Sequence, residues 1–184
     1  HAWELLTRTE VQHLLDAVSA TYPKLVDELI PSQLTLGGLQ RVLQNLLKER
    51  VPINDLVTTL EALLDYAPTT KDVEMLTEYV RQALARYITK RHTASDGSIH
   101  VMTVDPQFER ELAQSMEAGG GVGPDIITRL VRSIEAALKT DRLREAQPVI
   151  LCSAPVRRFL RKITERLFPS VAVLSNAEIS PTAR

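Results

Sequence analysis

The residues best placed to do chemistry lie in the string Cys152-Ser-Ala-Pro-Val-Arg-Arg158. A thiol followed by an arginine at Cys-x5-Arg spacing, between a strand and a helix, is the arrangement thiol phosphatases use. Loop N–H groups and the helix N-terminus hold a phosphate, Arg158 clamps it, and a low-pKa Cys152 thiolate attacks. Asp105, beside Pro106, would supply the general acid from another loop. Two features oppose this. Pro155 removes a loop N–H, and no glycine lets the segment curl around an anion. The plainer reading makes Cys152 a small apolar strand residue and Arg158 a solvated helix residue, and the sequence favours it.

Other candidates are weaker. Ser153 lacks the G-x-S-x-G setting of a nucleophile and reads as a helix-capping serine. The histidines His1, His13, His92 and His100 show no ligand spacing, and the lone Cys152 forms no zinc cluster, so no metal and no cofactor is expected. The Gly119–Gly123 run follows a helix rather than a strand. It therefore fails the test for a dinucleotide loop and reads as a flexible loop. Arg157, Arg158, Arg161, Lys162 and Arg166 share one helix opposite its apolar face. They are the candidate contact for an acidic partner, against the ordinary reading of a solvated face. No aromatic residues interleave them, so nucleic acid is not expected.

The whole chain sets limits on these readings. It has 184 residues, with 22 Lys and Arg against 23 Asp and Glu, a net charge of −1. There is no global basic field for nucleic acid, and the composition is that of a globular protein. Apolar runs are too short to span a bilayer, and the first ten residues carry charges where a cleavable signal would be apolar. One cysteine fits a reducing compartment. The chain reads as a piece of something longer.

Two patterns of residues divide the chain. Residues 1–92 predict helices only. Apolar spacing marks Thr9–Tyr22, Leu25–Ile30, a helix capped by Thr35 with Gly37 and Gly38 allowing close helix approach, Asn54–Tyr66, and a long helix over Lys71–Arg91 opened by a Thr69-x-x-Asp72 capping box. Residues 93–98 are a polar linker and a candidate hinge. Residues 99–184 alternate strands with helices. Strands are predicted at Ile99–Val104, Val149–Cys152 and Val171–Leu174. Helices open at Pro106, Pro124 and Pro155, the last with Val156, Phe159, Leu160, Ile163 and Leu167 inward. The fold class is α+β: a helical bundle, then a small α/β subdomain with a three-stranded, mainly parallel sheet.

Longer strings carry a resemblance. PKLVDEL (residues 23–29), LQRVLQNLLKERVPI (39–53), DYAP (65–68), LTEYVR (76–81), PVILCS (148–153) and VLSNAEI (173–179) occur in the order found in the type III protein-export gate family. The chain resembles the third (helical) and fourth (α/β) cytoplasmic subdomains of that family. The flagellar branch is favoured by Val51-Pro52-Ile53 with Asp65–Pro68, the Gly119–Gly123 loop and Leu174-Ser175-Asn176; the injectisome branch is the alternative. The resemblance implies a non-enzymatic module at the cytoplasmic face of the bacterial inner membrane. It also implies a nonameric ring in the full-length protein, with this fragment able to remain monomeric. Export chaperone–cargo complexes would be partners, and the fragment itself would make no membrane contact. The family's chaperone groove lies in upstream subdomains, so none of its residues can be placed on this sequence.

Overall fold

The structure, a computed structural model, describes residues 2–119, 121–139 and 147–181. It divides into two compact units, one ending at Ile88 and the other beginning at Thr89.

The first unit is helical: a 3-10 turn at Ala2–Leu5, then α1 (Arg8–Ser19), α2 (Pro23–Leu29), α3 (Leu36–Lys48), α4 (Leu56–Tyr66) and α5 (Val73–Ala83), with α6 (Ala85–His92) crossing the division. Caps set most of the starts. Thr7 and Glu10 form a capping box at α1. Pro23 occupies the first turn of α2, where its missing N–H costs nothing. The Gly38 N–H donates to Thr35 Oγ1 at 3.0 Å, as the sequence predicts. Asp55 caps α4, its Oδ1 taking the Thr58 N–H at 3.1 Å.

Three expectations change here. The Thr69–Asp72 capping box is absent: Thr69 Oγ1 donates back to the Tyr66 carbonyl oxygen at 2.8 Å, and Asp72 itself caps α5 by accepting the Glu74 N–H. The expected long helix is broken at Leu84, whose ψ of 12° ends α5. The glycine pair serves local packing. A Cβ on Gly38 would stand 2.7 Å from Leu34 Cδ1, in the approach to the same helix, while only the Arg8 guanidinium of α1 faces Gly37.

The core of this unit is a leucine layer. Leu39, Val42, Leu43, Leu46, Leu60, Leu63, Leu76 and Val80 are fully buried. Each such side chain contributes roughly 1.5–3 kcal/mol relative to exposure. Arg81 is buried too, with Nη1 3.3 Å from Glu49 Oε2 at the end of α3.

The second unit holds β1 (Val101–Thr103), α7 (Pro106–Glu117), α8 (Pro124–Leu138), β2 (Val149–Cys152), α9 (Ala154–Leu167) and β3 (Ala172–Ser175), then a 3-10 turn at Asn176–Glu178. The strands are parallel in the order β1-β2-β3, with Met102 beside Ile150 and Ile150 beside Val173. Ile150, Cys152 and Val173 share one cluster with Leu112 of α7, Leu130 and Ile134 of α8, and Val156 and Leu160 of α9. All three helices therefore cover one sheet face, as crossovers of one hand require when strands are laid down in sequence order. The 93–98 segment lies inside this unit as a closed turn, with the Ala94 N–H on the Ser98 carbonyl and Gly97 at φ 83°. Gly119 and Gly121 also have positive φ; Gly120, like His1, lies outside the described residues.

Candidate functional site

The α9 helix carries both sequence candidates, and its start is occupied by the protein itself. The Ser153 N–H donates to Glu109 Oε1 at 2.6 Å. A carboxylate from α7 thus sits where an incoming anion would meet the helix N-terminus. Ser153 is the N-cap residue, but its hydroxyl makes no capping bond, so the expected capping serine is replaced by the Glu109 contact. Cys152 is buried, and its Sγ lies 3.5 Å from the Leu174 carbonyl oxygen. Asp105 Oδ1 accepts the Gln107 and Phe108 N–H groups at 2.9 and 3.0 Å, so this carboxylate caps α7.

The basic set divides. Arg158 and Arg161 are half-buried, and Lys162 and Arg166 are exposed. Arg157 does not belong with them, which corrects the expected five-residue face. It is 1% exposed, and its Nη1 donates to the Val173 carbonyl oxygen at 3.0 Å. The inward stripe of α9 is Val156, Leu160 and Thr164, one position apart from Arg157 and Arg161, while Leu167 is 55% exposed. Phe159 and Ile163 also pack against the sheet-facing cluster, so the expected inward face holds except at Leu167, and Arg157 is buried beside it because it has acceptors inside. A periodicity argument that counts every arginine as polar surface places it outside.

Those acceptors form a network that the sequence reading missed. Glu178 is fully buried. Its Oε2 accepts the Ser175 N–H at 2.8 Å in a capping box, and its Oε1 lies 4.0 Å from Arg157 Nε. Thr89 Oγ1 donates to the Glu178 carbonyl at 3.1 Å and accepts the Ser180 N–H at 2.7 Å. Ser175-x-x-Glu178 is a legible capping-box spacing. Its pairing with Arg157 and Thr89 has no local signal.

In the first unit, burial pushes the Asp55 carboxyl up. Hydrogen bonds from the Thr58 backbone, the Thr58 hydroxyl and the Tyr87 hydroxyl outweigh it and hold the group below the usual carboxylate range. Among the described residues no three His, Cys, Asp or Glu side chains converge to hold a metal ion. Nor is any helix among them long and apolar enough to cross a membrane.

The sequence matches the FHIPEP family over residues 1–184. The chain belongs to the FHIPEP family. It is 42% identical over 180 residues to the flagellar biosynthesis protein FlhA of Escherichia coli (strain K12), covering 98% of this chain and 26% of that protein. It is 40% identical over 184 residues to FlhA of Bacillus subtilis (strain 168), covering 97% and 27%. The fold matches the nonameric EscV cytosolic domain from the type III secretion system with a TM-score of 0.81 at 33% identity, covering 100% of this chain and 55% of that one. The chain thus spans about a quarter of the length of its FlhA relatives. Its mixed fold of helical unit and three-stranded parallel sheet is that of FHIPEP cytosolic domains.

Proposed function

We propose that this chain is part of the cytoplasmic portion of a bacterial type III export gate, in the flagellar branch, and that it serves ring assembly and the docking of export chaperone–cargo complexes. The observation that carries the reading is the match of the whole chain to a cytosolic domain solved as a nonamer. The flagellar assignment draws on the higher identity to FlhA, 42% against 33% for EscV.

The role is mechanical rather than chemical. The leucine-packed helical unit supplies a rigid body for subunit packing. The α/β unit presents Arg158, Arg161, Lys162 and Arg166 as a basic surface for acidic partners. The Glu109 carboxylate on the Ser153 N–H argues against a phosphate-binding loop at Cys152, so the thiol serves packing.

Calorimetric titration of the purified chain with export chaperone–cargo complexes from its source tests the docking role. Saturable binding, weakened by K162E with R166E, is the expected result. Absence of heat, with a version extended upstream binding under the same conditions, would move recognition out of these two units and leave this part as ring scaffold.

A further inference from the structure

The β1 strand is an open edge. Among the described residues only β2 pairs with it, so one row of its backbone N–H and C=O groups faces outward. Natural edges are usually blunted by being very short, or by a charge, a proline or a bulge, and β1 has only its three-residue length. Val101-Met102-Thr103 has no charge or proline, and Thr103 is exposed.

Beside this edge lies a cavity of about 380 Å³, toward the lower end of the roughly 300–1,000 Å³ typical of ligand pockets. Met102 and Ile150 of the sheet and Phe108 of α7 give it apolar walls. The α8 side adds Leu130 and Ile134 as further apolar wall, with the short side chains of Ser133 and Ala137 one turn apart.

Arg129 stands on the rim and is held in place. Its Nη1 is 3.1 Å from both Glu111 oxygens, and its guanidinium carbon lies 5.0 Å from the Phe108 ring centroid. Its Nε and Nη2 make no hydrogen bond among the described residues, and 57% of the side chain is exposed. Asp105, the acidic group of the lining, is committed to the first turn of α7.

Main-chain groups on an edge call for main-chain partners, an apolar cavity calls for an apolar side chain, and an anchored guanidinium calls for a carboxylate. We propose that an extended peptide from a partner protein docks here as a fourth strand beside β1. Its alternate residues face the same side, so an apolar side chain enters the cavity while an acidic one two residues away meets Arg129 on its rim. This inference does not rest on the export-gate reading.

The test is an NMR titration of the 184-residue chain with the synthetic peptide acetyl-Thr-Glu-Thr-Val-Thr-Glu-Thr-amide, in which Glu and Val lie on one face. Three further peptides accompany it: two copies N-methylated at alternate backbone nitrogens, one on each edge, and a copy with Lys for Glu. Saturable shifts at the amides of Val101–Thr103 and Arg129–Ala137 are expected. One methylated copy should lose binding while the other keeps it, and the Lys copy should bind more weakly. R129Q, at an exposed position, should weaken the parent peptide about fivefold to tenfold through loss of a charge-assisted contact. A137L, checked for an otherwise unchanged amide spectrum, should abolish binding by filling the cavity. No shift at these amides up to millimolar peptide would overturn the proposal. So would equal binding of both methylated copies, or shifts confined to other residues.

Discussion

Arg157 Nε lies 4.0 Å from Glu178 Oε1, with both side chains almost wholly buried. The pair ties α9 to the turn that follows β3. Arg157 also holds the Val173 carbonyl, and Glu178 holds the Ser175 N–H. Removing one partner takes the opposite charge away from a buried group, which ordinarily costs about 3–5 kcal/mol. R157M should therefore destabilise the second unit by that order in urea unfolding. The double variant R157M/E178Q should be less unstable than the sum of the single variants.

Cys152 fills space in the sheet-facing cluster. C152A should cost roughly 1 kcal/mol, at the low end of large-to-small core changes, and should leave export unimpaired in a full-length protein carrying it. Loss of export from a C152A protein that accumulates normally would revive thiol chemistry. Thermal unfolding and a secretion assay measure the two effects separately.

The leucine layer of the first unit predicts a sharper response. Leu43 is fully buried in α3, and L43A should lose about 2–5 kcal/mol. The same truncation at the exposed Leu5 or Leu167 should change stability by no more than about 0.5 kcal/mol. Denaturant midpoints would show the contrast.

Asp55 contributes a pH dependence with a definite sign. Its folded carboxyl titrates below the ordinary range because the Thr58 and Tyr87 hydrogen bonds outweigh burial. The unfolded chain therefore takes up the proton first as pH falls. The stabilisation is complete above the unfolded value, near ~3.9, and is lost as pH drops through the lowered folded value. The Tyr87 hydroxyl is raised by the same contact with Asp55. Y87F should weaken the acid-side loss of stability, and D55N should remove this part of it. Urea midpoints measured between neutral and acid pH would show the wild-type and D55N curves converging.

Element types were legible because the local signals agreed. Pro106 and Pro124 open helices, and Thr35 caps one. Val149–Cys152 forms a strand with the bounds its β-branched, apolar run predicts. The errors lie where a distant partner decides. Arg157 points inward because Glu178 and the Val173 carbonyl are there, and no helical period encodes that. Leu84 interrupts a periodic apolar stripe without proline or glycine. The β1 cavity was also out of reach, since its walls come from β1, β2, α7 and α8, which only the tertiary fold brings together.

The most direct test of the central claim is a segment exchange. The matching segment of Escherichia coli FlhA is replaced by this chain in the full-length protein, and swimming and secretion of flagellar proteins are measured beside a control with the native segment reinserted. The account predicts that the chimera restores both. A chimera that accumulates like the control but neither secretes nor swims would contradict it.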